Sequence, residues 1–266
     1  MNKDKAAEIL KNRLNDVGES AAAVAPDFNE KSIHAFRVSV KKLRAYLRLV
    51  ESGADQPKMK TGKKLKQLYD IAGELRNAQL EQNKTKKQLS ALPLYNEKLA
   101  ETIELNKTAW QQHYQPAIIK KLAKKLEQKP LRKIAAKTLV GFLKERIKVL
   151  EDIADSIPDD EQIHTGRKSV KDMLYNTKLA EKHWPKAYAK ITQLPLVKLG
   201  ELSDLLGNYN DERLILESHL SLLPLVKQEP EKKALITLSN KGEKHKEIQK
   251  QALLKELKQF VTAAAI

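Results

Sequence analysis

A long-range echo restricts the fold more than any other feature of this sequence. Ile33-His34-Ala35-Phe36-Arg37-Val38-Ser39-Val40-Lys41 aligns with Ile163-His164-Thr165-Gly166-Arg167-Lys168-Ser169-Val170-Lys171, so the two histidines stand 164 − 34 = 130 residues apart. Farther on, Leu68-x-Asp70-x-x-Gly73-x-x-Arg76-Asn77 aligns with Leu202-x-Asp204-x-x-Gly207-x-x-Asn210-Asp211, at an offset of 207 − 73 = 134. A period this long lies far outside the roughly 20–50 residues of a solenoid repeat. It implies a duplicated unit that fills half the chain.

Each unit reads as helical. Gly and Pro number only 9 and 10 in 266 residues, and apolar residues recur between them at helical spacing. Helices are expected over 3–24, 28–51, 58–90 and 94–128, and again over 131–156, 160–182, 190–222 and 230–262. Asp27 is the expected cap of the second helix, with Glu30 in capping-box position, and Asp159 with Gln162 repeats the pattern before the sixth. Gly73 weakens the third helix relative to Ala and so marks close approach by another helix. Lys129-Pro130 is the boundary signal. The expectation is an all-α chain of two four-helix bundles, 1–128 and 129–266, related by an internal pseudo-twofold. That symmetry lets the second and sixth helices face one another.

The second helix carries the chemistry. At about 100° per residue, His34, Arg37, Lys41, Arg44 and Arg48 share a stripe roughly 80° wide. Phe36, Val40, Leu43, Leu47 and Val50 gather opposite. A solvated helix face usually mixes charge signs at i,i+4, but no acid interrupts Arg37, Lys41, Arg44 and Arg48. On the sixth helix Arg167, Lys168, Lys171 and Lys178 flank His164 in the same way, though Leu174 stands where Arg44 aligns. Two such rows repel unless an anion offsets them. Phosphate suits these residue types: arginine offers a bidentate fork and lysine a mobile point charge.

The whole composition agrees. Lys and Arg number 50 against 34 Asp and Glu, giving a net charge of +16 and a pI near 9.7. The partner is therefore a polyanion: nucleic acid, an anionic membrane surface or an inorganic polymer. Aromatic residues make up only 5%, which leaves few stacking platforms for bases. No run approaches the roughly 18 apolar residues of a membrane span, and Met1 to Asn15 has no apolar core of signal-peptide type. The absence of cysteine excludes disulfides, thiolate metal sites and thiol nucleophiles. A cytoplasmic protein is expected.

Other chemistries find less support. The histidines lack obvious third and fourth ligands, and the cations beside them disfavour a divalent metal. Their pKa values are expected to fall among those cations, and an anion would restore them. Glu229-Pro230-Glu231-Lys232-Lys233 spells the E-x-E-x-K of triphosphate-tunnel enzymes, but Pro230 and the helical surroundings are wrong for a barrel strand. No P-loop, Rossmann fingerprint, His-Glu-x-x-His or Gly-x-Ser-x-Gly occurs.

Taken together, His34-x-x-Arg37-x-x-x-Lys41-x-x-Arg44, the Leu-x-Asp-x-x-Gly-x-x-Arg76 segment and His164-x-x-Arg167-Lys168-x-x-Lys171-x-x-x-Tyr175 resemble a CHAD domain, the conserved histidine α-helical domain. The resemblance covers nearly the whole chain. It implies a basic groove or pore between two helical bundles, binding of inorganic polyphosphate, and association with polyphosphate granules. It further implies that His34, Arg37, Lys41, Arg44, Arg48 and Arg76, with His164, Arg167, Lys168, Lys171 and Lys178, grip successive phosphates. The role implied is binding without catalysis or cofactor. Sequence-independent nucleic-acid binding in the same groove and metal-assisted phosphohydrolysis are the alternatives. Arg76-Asn77 and Asn210-Asp211 depart from the family's frequent Arg-Asp after the glycine.

Overall fold

Apolar faces at helical spacing, separated by short polar breaks, fold into helices along most of the chain. The computed structural model describes residues 1–264. In the first half α1 spans Lys3–Ala22, α2 Glu30–Glu51, α3 Gly62–Thr85, α4 Pro93–His113 and α5 Pro116–Glu127. In the second half α6 spans Ala136–Ala154, α7 Asp160–His183, the one-turn α8 Pro185–Tyr188, α9 Leu196–Leu222 and α10 Glu229–Ala263. No strand occurs among the described residues, and none of their helices is long and apolar enough to cross a membrane.

Local chemistry sets the ends. The Asp159–Gln162 capping box forms as expected: the Asp159 carboxylate accepts from the Gln162 N–H, and the Gln162 side chain accepts from the Asp159 N–H, both at 2.8 Å. The cap of α2 differs from expectation. Asn29, not Asp27, is the N-cap, its side-chain oxygen accepting from the Ser32 N–H at 2.8 Å. Asp27 instead accepts from the Asn29 N–H, because Phe28 turns the chain through a positive φ of 49° between them. Glu30 points away to Asn83 of α3. The fourth expected helix is broken in two at Tyr114-Gln115-Pro116. A residue before proline is driven out of the α region, and Gln115 lies at φ −136°, ψ 130°, with Pro116 opening α5. The E-x-E-x-K segment opens α10, where buried Glu231 accepts from the Leu94 N–H at 2.8 Å and the Tyr95 N–H at 3.2 Å. Its role in the fold is to cap α4.

The echo in sequence is also an echo in burial. Ala6, Ile9, Leu10, Leu14 and Val17 of α1 are matched 139 − 6 = 133 residues later by buried Leu139, Phe142, Leu143, Ile147 and Leu150 of α6. Ile33, Phe36, Val40, Leu43 and Leu49 of α2 are matched at 163 − 33 = 130 by Ile163, Gly166, Val170, Met173 and Leu179 of α7. Packing follows suit. α1 packs on α2 and α5, α2 on α3, and α3 on α4; likewise α6 packs on α7 and α10, α7 on α9, and α9 on α10. The halves meet where α2 packs on α7 and α3 on α9. One apolar cluster, from Ala6 to Phe260, runs through both.

The α2–α7 contact is tied by a polar clasp. Asp172 of α7, only 4% exposed, accepts both Nε (2.7 Å) and Nη2 of Arg48. Nε of Arg146, from α6, lies 3.4 Å from the same carboxylate. Beside them the Asn176 amide donates to the Ala45 carbonyl across the interface at 3.0 Å. Removing one partner of a buried ion pair typically costs about 3–5 kcal/mol. Asp172→Ala, which strands two arginines, is expected to lower stability by about 3 kcal/mol in urea unfolding, whereas the exposed Lys66–Asp70 pair contributes under about 0.5 kcal/mol. Equal losses for Asp172→Ala and Asp70→Ala would contradict this role.

Candidate anion-binding site

Where α2, α3, α7 and α9 converge they enclose a cavity of about 350 Å³. Arg37, Lys41, Arg44 and Arg48 project from α2, and Tyr69, Arg76 and Asn77 from α3. His164, Arg167, Lys168, Lys171, Asp172 and Tyr175 come from α7, with Asn210, Asp211 and Arg213 from α9. Nine cationic side chains thus meet two carboxylates, and one of these, Asp172, is already held by Arg48 and Arg146.

Two of the arginines of α2, Arg37 and Arg44, are fixed by α3. Arg37 Nη1 donates to the Tyr69 carbonyl at 3.0 Å, and its guanidinium lies 4.5 Å from the Tyr69 ring centroid. Arg44 lies over the same ring at 4.4 Å. Cation–π attraction of this kind is worth about 0.5–2 kcal/mol and holds two like charges side by side. Gly73 makes the room: a Cβ there would stand 2.2 Å from Arg37 Nη1. The close approach expected at Gly73 is therefore by a side chain of α2. Across the cavity, Lys171 donates to the Ser203 hydroxyl of α9.

Several buried nitrogens remain without partners. Arg37 Nε, Arg167 Nε and His164 Nδ1 are buried and have no hydrogen-bond partner in the protein. Leaving a buried polar group unpaired costs about 1–3 kcal/mol. Lys41 is set still more against its own charge. Burial first, then Arg167, Arg37, Lys171 and Arg76, push its pKa down to about 6. Near neutral pH its amine is mostly uncharged unless an anion joins it. Burial and neighbouring cations also lower His34, through Arg76, Lys41, Lys171 and Arg37. His164 is lowered by burial and then by Lys168, against an upward pull from Glu161. These are the directions expected for groups that gain a proton when an anion binds.

Nine of the eleven residues singled out in the sequence line the cavity: Arg37, Lys41, Arg44, Arg48, Arg76, His164, Arg167, Lys168 and Lys171. His34 does not line it; it is exposed at the edge, within the field of Arg76 and Lys41. Lys178 does not line it either, and faces a separate cavity beside Lys42 and Lys182. Arg48 lines the wall with its head committed to Asp172. Tyr69 and Arg213 were missed, and Tyr175, part of the motif on the sixth helix, was given no role. Tyr69 had a readable signal, because Tyr69, Gly73 and Arg76 fall at i, i+4 and i+7 on one face of α3.

Lys41 makes stability depend on pH. Its proton affinity is lower folded than unfolded, so the unfolded chain binds more protons between pH about 6 and the ordinary lysine value near 10.4. Its penalty is absent above that window and complete below it. The unfolding midpoint of anion-free protein is therefore expected to rise between pH 6 and pH 9. Lys41→Met should flatten that rise and add about 1–3 kcal/mol at pH 7. An undiminished rise in the variant, followed by thermal melts, would contradict the assignment.

Comparison with known proteins places this geometry. The family model described as CHAD domain matches residues 8–219. The fold is similar to the crystal structure of the CHAD domain from the plant Ricinus communis, with a TM-score of 0.73 at 18% identity, covering 100% of this chain and 93% of that one. It is also similar to PptA from Streptomyces chartreusis, with a TM-score of 0.68 at 14% identity, covering 97% and 99%. The comparison with curated proteins finds no match. The family match spans most of both helical halves and includes both histidine-bearing helices, so the chain belongs to the CHAD domain family.

Proposed function

We propose that this protein binds inorganic polyphosphate, without chemistry, in the cavity between α2, α3, α7 and α9. The observation that carries the proposal is the set of buried, unpartnered nitrogens, Arg37 Nε, Arg167 Nε and His164 Nδ1, in a cavity where cations outnumber acids nine to two. A polymer of tetrahedral phosphates offers acceptors in every direction and carries compensating charge along its length. In this reading Arg37 and Arg167 are the paired forks, and Lys41 and Lys171 supply charge between them. Arg44, Arg76, Lys168 and Arg213 flank the chain, with His34 at its entry. Arg48 is a positioning residue, acting through Asp172. We propose also that the halves 1–128 and 129–266 are two four-helix units related by a pseudo-twofold, an arrangement supported by the repeated register of burial. A cytoplasmic location, at polyphosphate granules, accords with the proposed ligand.

Two features favour this polymer over nucleic acid. A duplex whose major groove alone is about 12 Å wide is large against a cavity of about 350 Å³. And Tyr69, which could have stacked a base, carries Arg37 and Arg44 instead. Metal-assisted hydrolysis is the alternative reading; against it, Asp172, one of the two carboxylates in the cavity wall, is already held by Arg48 and Arg146.

Calorimetry with long-chain polyphosphate, tripolyphosphate and short duplex DNA tests the proposal. Affinity should rise with chain length and fall steeply with salt, by a slope in log K near −0.7 per phosphate contacted if single-stranded nucleic acid is a guide. Arg37→Ala with Arg167→Ala should weaken long-chain binding by about 100-fold or more, since truncating one desolvated charge costs about 2–5 kcal/mol. Incubation with Mg²⁺ or Mn²⁺ should release no phosphate. DNA binding as tight as polyphosphate binding, or an unchanged affinity in the double variant, would overturn the reading.

A further inference from the structure

The repeated register pairs positions of one half with positions of the other, and around Asp172 the two differ in charge. Asp172 of α7 corresponds to Lys42 of α2, since 172 − 130 = 42. By the same offset Arg48 corresponds to Lys178, and by the α1–α6 offset Arg146 corresponds to Arg13, since 146 − 133 = 13. The fold brings the three counterparts together. Arg13, Lys42 and Lys178 line one cavity of about 470 Å³ between α1, α2 and α7, joined by Lys182 and His183. Around Asp172, two arginines grip a carboxylate of the protein itself. At the equivalent place the carboxylate is replaced by a lysine.

We infer that the cavity of Arg13, Lys42 and Lys178 is a second anion site, which takes a phosphoryl group where Asp172 supplies the anion in the other half. Four cations line it, Arg13, Lys42, Lys178 and Lys182. Its one lining acid among the described residues, Asp16, lies 3.6 Å from Arg13 and is 52% exposed. The wall therefore carries a surplus of 4 − 1 = 3 positive charges before His183 is counted. Arg13 is held back against the helices, 20% exposed, and offers a planar fork. The three ammonium groups add mobile donors from α2 and α7. A tetrahedral oxyanion of charge −2 to −3 presents acceptors in more directions than a carboxylate and balances more of this charge. The site is distinct from the central cavity and stands whether or not that cavity takes polyphosphate. Tyr175 lines both, so a polyphosphate chain leaving the centre past Tyr175 would arrive here. The phosphoryl group is thus either part of that chain or a free phosphate.

The test restores the missing carboxylate. Lys42→Asp places an acid between Arg13 and Lys178, as Asp172 stands between Arg48 and Arg146. It should raise the unfolding midpoint of anion-free protein and abolish the site. With the central cavity disabled by Arg37→Ala and Arg167→Ala, calorimetry at low salt should find one remaining tripolyphosphate site. Lys42→Asp should weaken that site at least about tenfold, and so should Lys42→Ala with Lys178→Ala, which introduces no new ion pair. Should the arginine variants not fold, the otherwise native chain answers the same question. It should take up two tripolyphosphates, falling to one with Lys42→Asp. With the central cavity intact, a tenfold loss of long-chain affinity in Lys42→Asp assigns the site to the continuing chain. Unchanged long-chain affinity with lost orthophosphate binding assigns it to free phosphate. No remaining tripolyphosphate site, or one that neither Lys42 variant weakens, would overturn the inference.

Discussion

Two rows of like charge face each other across α2 and α7, and the rest of the molecule holds them there. Left alone, Arg37, Lys41, Arg167 and Lys171 would drive these helices apart, and after burial, the larger cause, it is Arg167, Arg37 and Lys171 that lower the pKa of Lys41. Three things oppose the repulsion. The apolar backs of both helices are buried in one cluster that runs through both halves. The Asp172 carboxylate bridges Arg48 and Arg146 beside the cavity, so part of the charge at that end is offset within the protein. Tyr69 spreads two guanidinium charges over its ring. What remains uncompensated lies at the centre, where the nitrogens without partners are.

The geometry accords with the duplication proposed above. Each half supplies one histidine-bearing helix and one glycine-bearing helix, and their meeting gives a cavity with walls from both. The two halves differ in detail. Gly73 leaves room for Arg37 on the Tyr69 carbonyl, whereas Gly207 has no heavy atom within 4 Å of where its Cβ would stand. Tyr69 is answered by Ser203, which takes Lys171 instead. Arg44 is answered by Leu174 and Arg76 by Asn210. The first half thus supplies the better-ordered arginine wall, and the second supplies the acid of the clasp. The asymmetry at Lys42 and Asp172 gives one half an internal anion where the other half carries a lysine.

Much of this was legible in the residues. The 130-residue echo gave the equivalence of α2 and α7, and the unmixed charge of the 37–48 row gave the wall. Helical spacing placed most elements to within a few residues. It failed at Pro116, where an apolar pattern that continues across the break hides a backbone constraint. It placed the α2 cap two residues early, because Asp27 and Asn29 are both good caps and only the turn at Phe28 decides between them. Periodicity on one helix could not show which cations of the stripe are free. Arg48 is taken by a carboxylate 124 positions away in the sequence, and Lys178 is carried round the helix into another cavity. The spacing of Tyr69, Gly73 and Arg76 put Tyr69 on the cavity face of α3, but its partners Arg37 and Arg44 lie on another helix, which spacing alone does not show.

The central claim is that the cations of α2 and α7 form one site for a phosphate polymer. A crystal structure of the protein with a short polyphosphate bound tests it most directly. Phosphate oxygens are expected within hydrogen-bond distance, about 2.7–3.2 Å, of both Arg37 and Arg167, with Arg48 still clasped to Asp172. Phosphates found only on the outer faces, with Arg37 and Arg167 untouched, would contradict it.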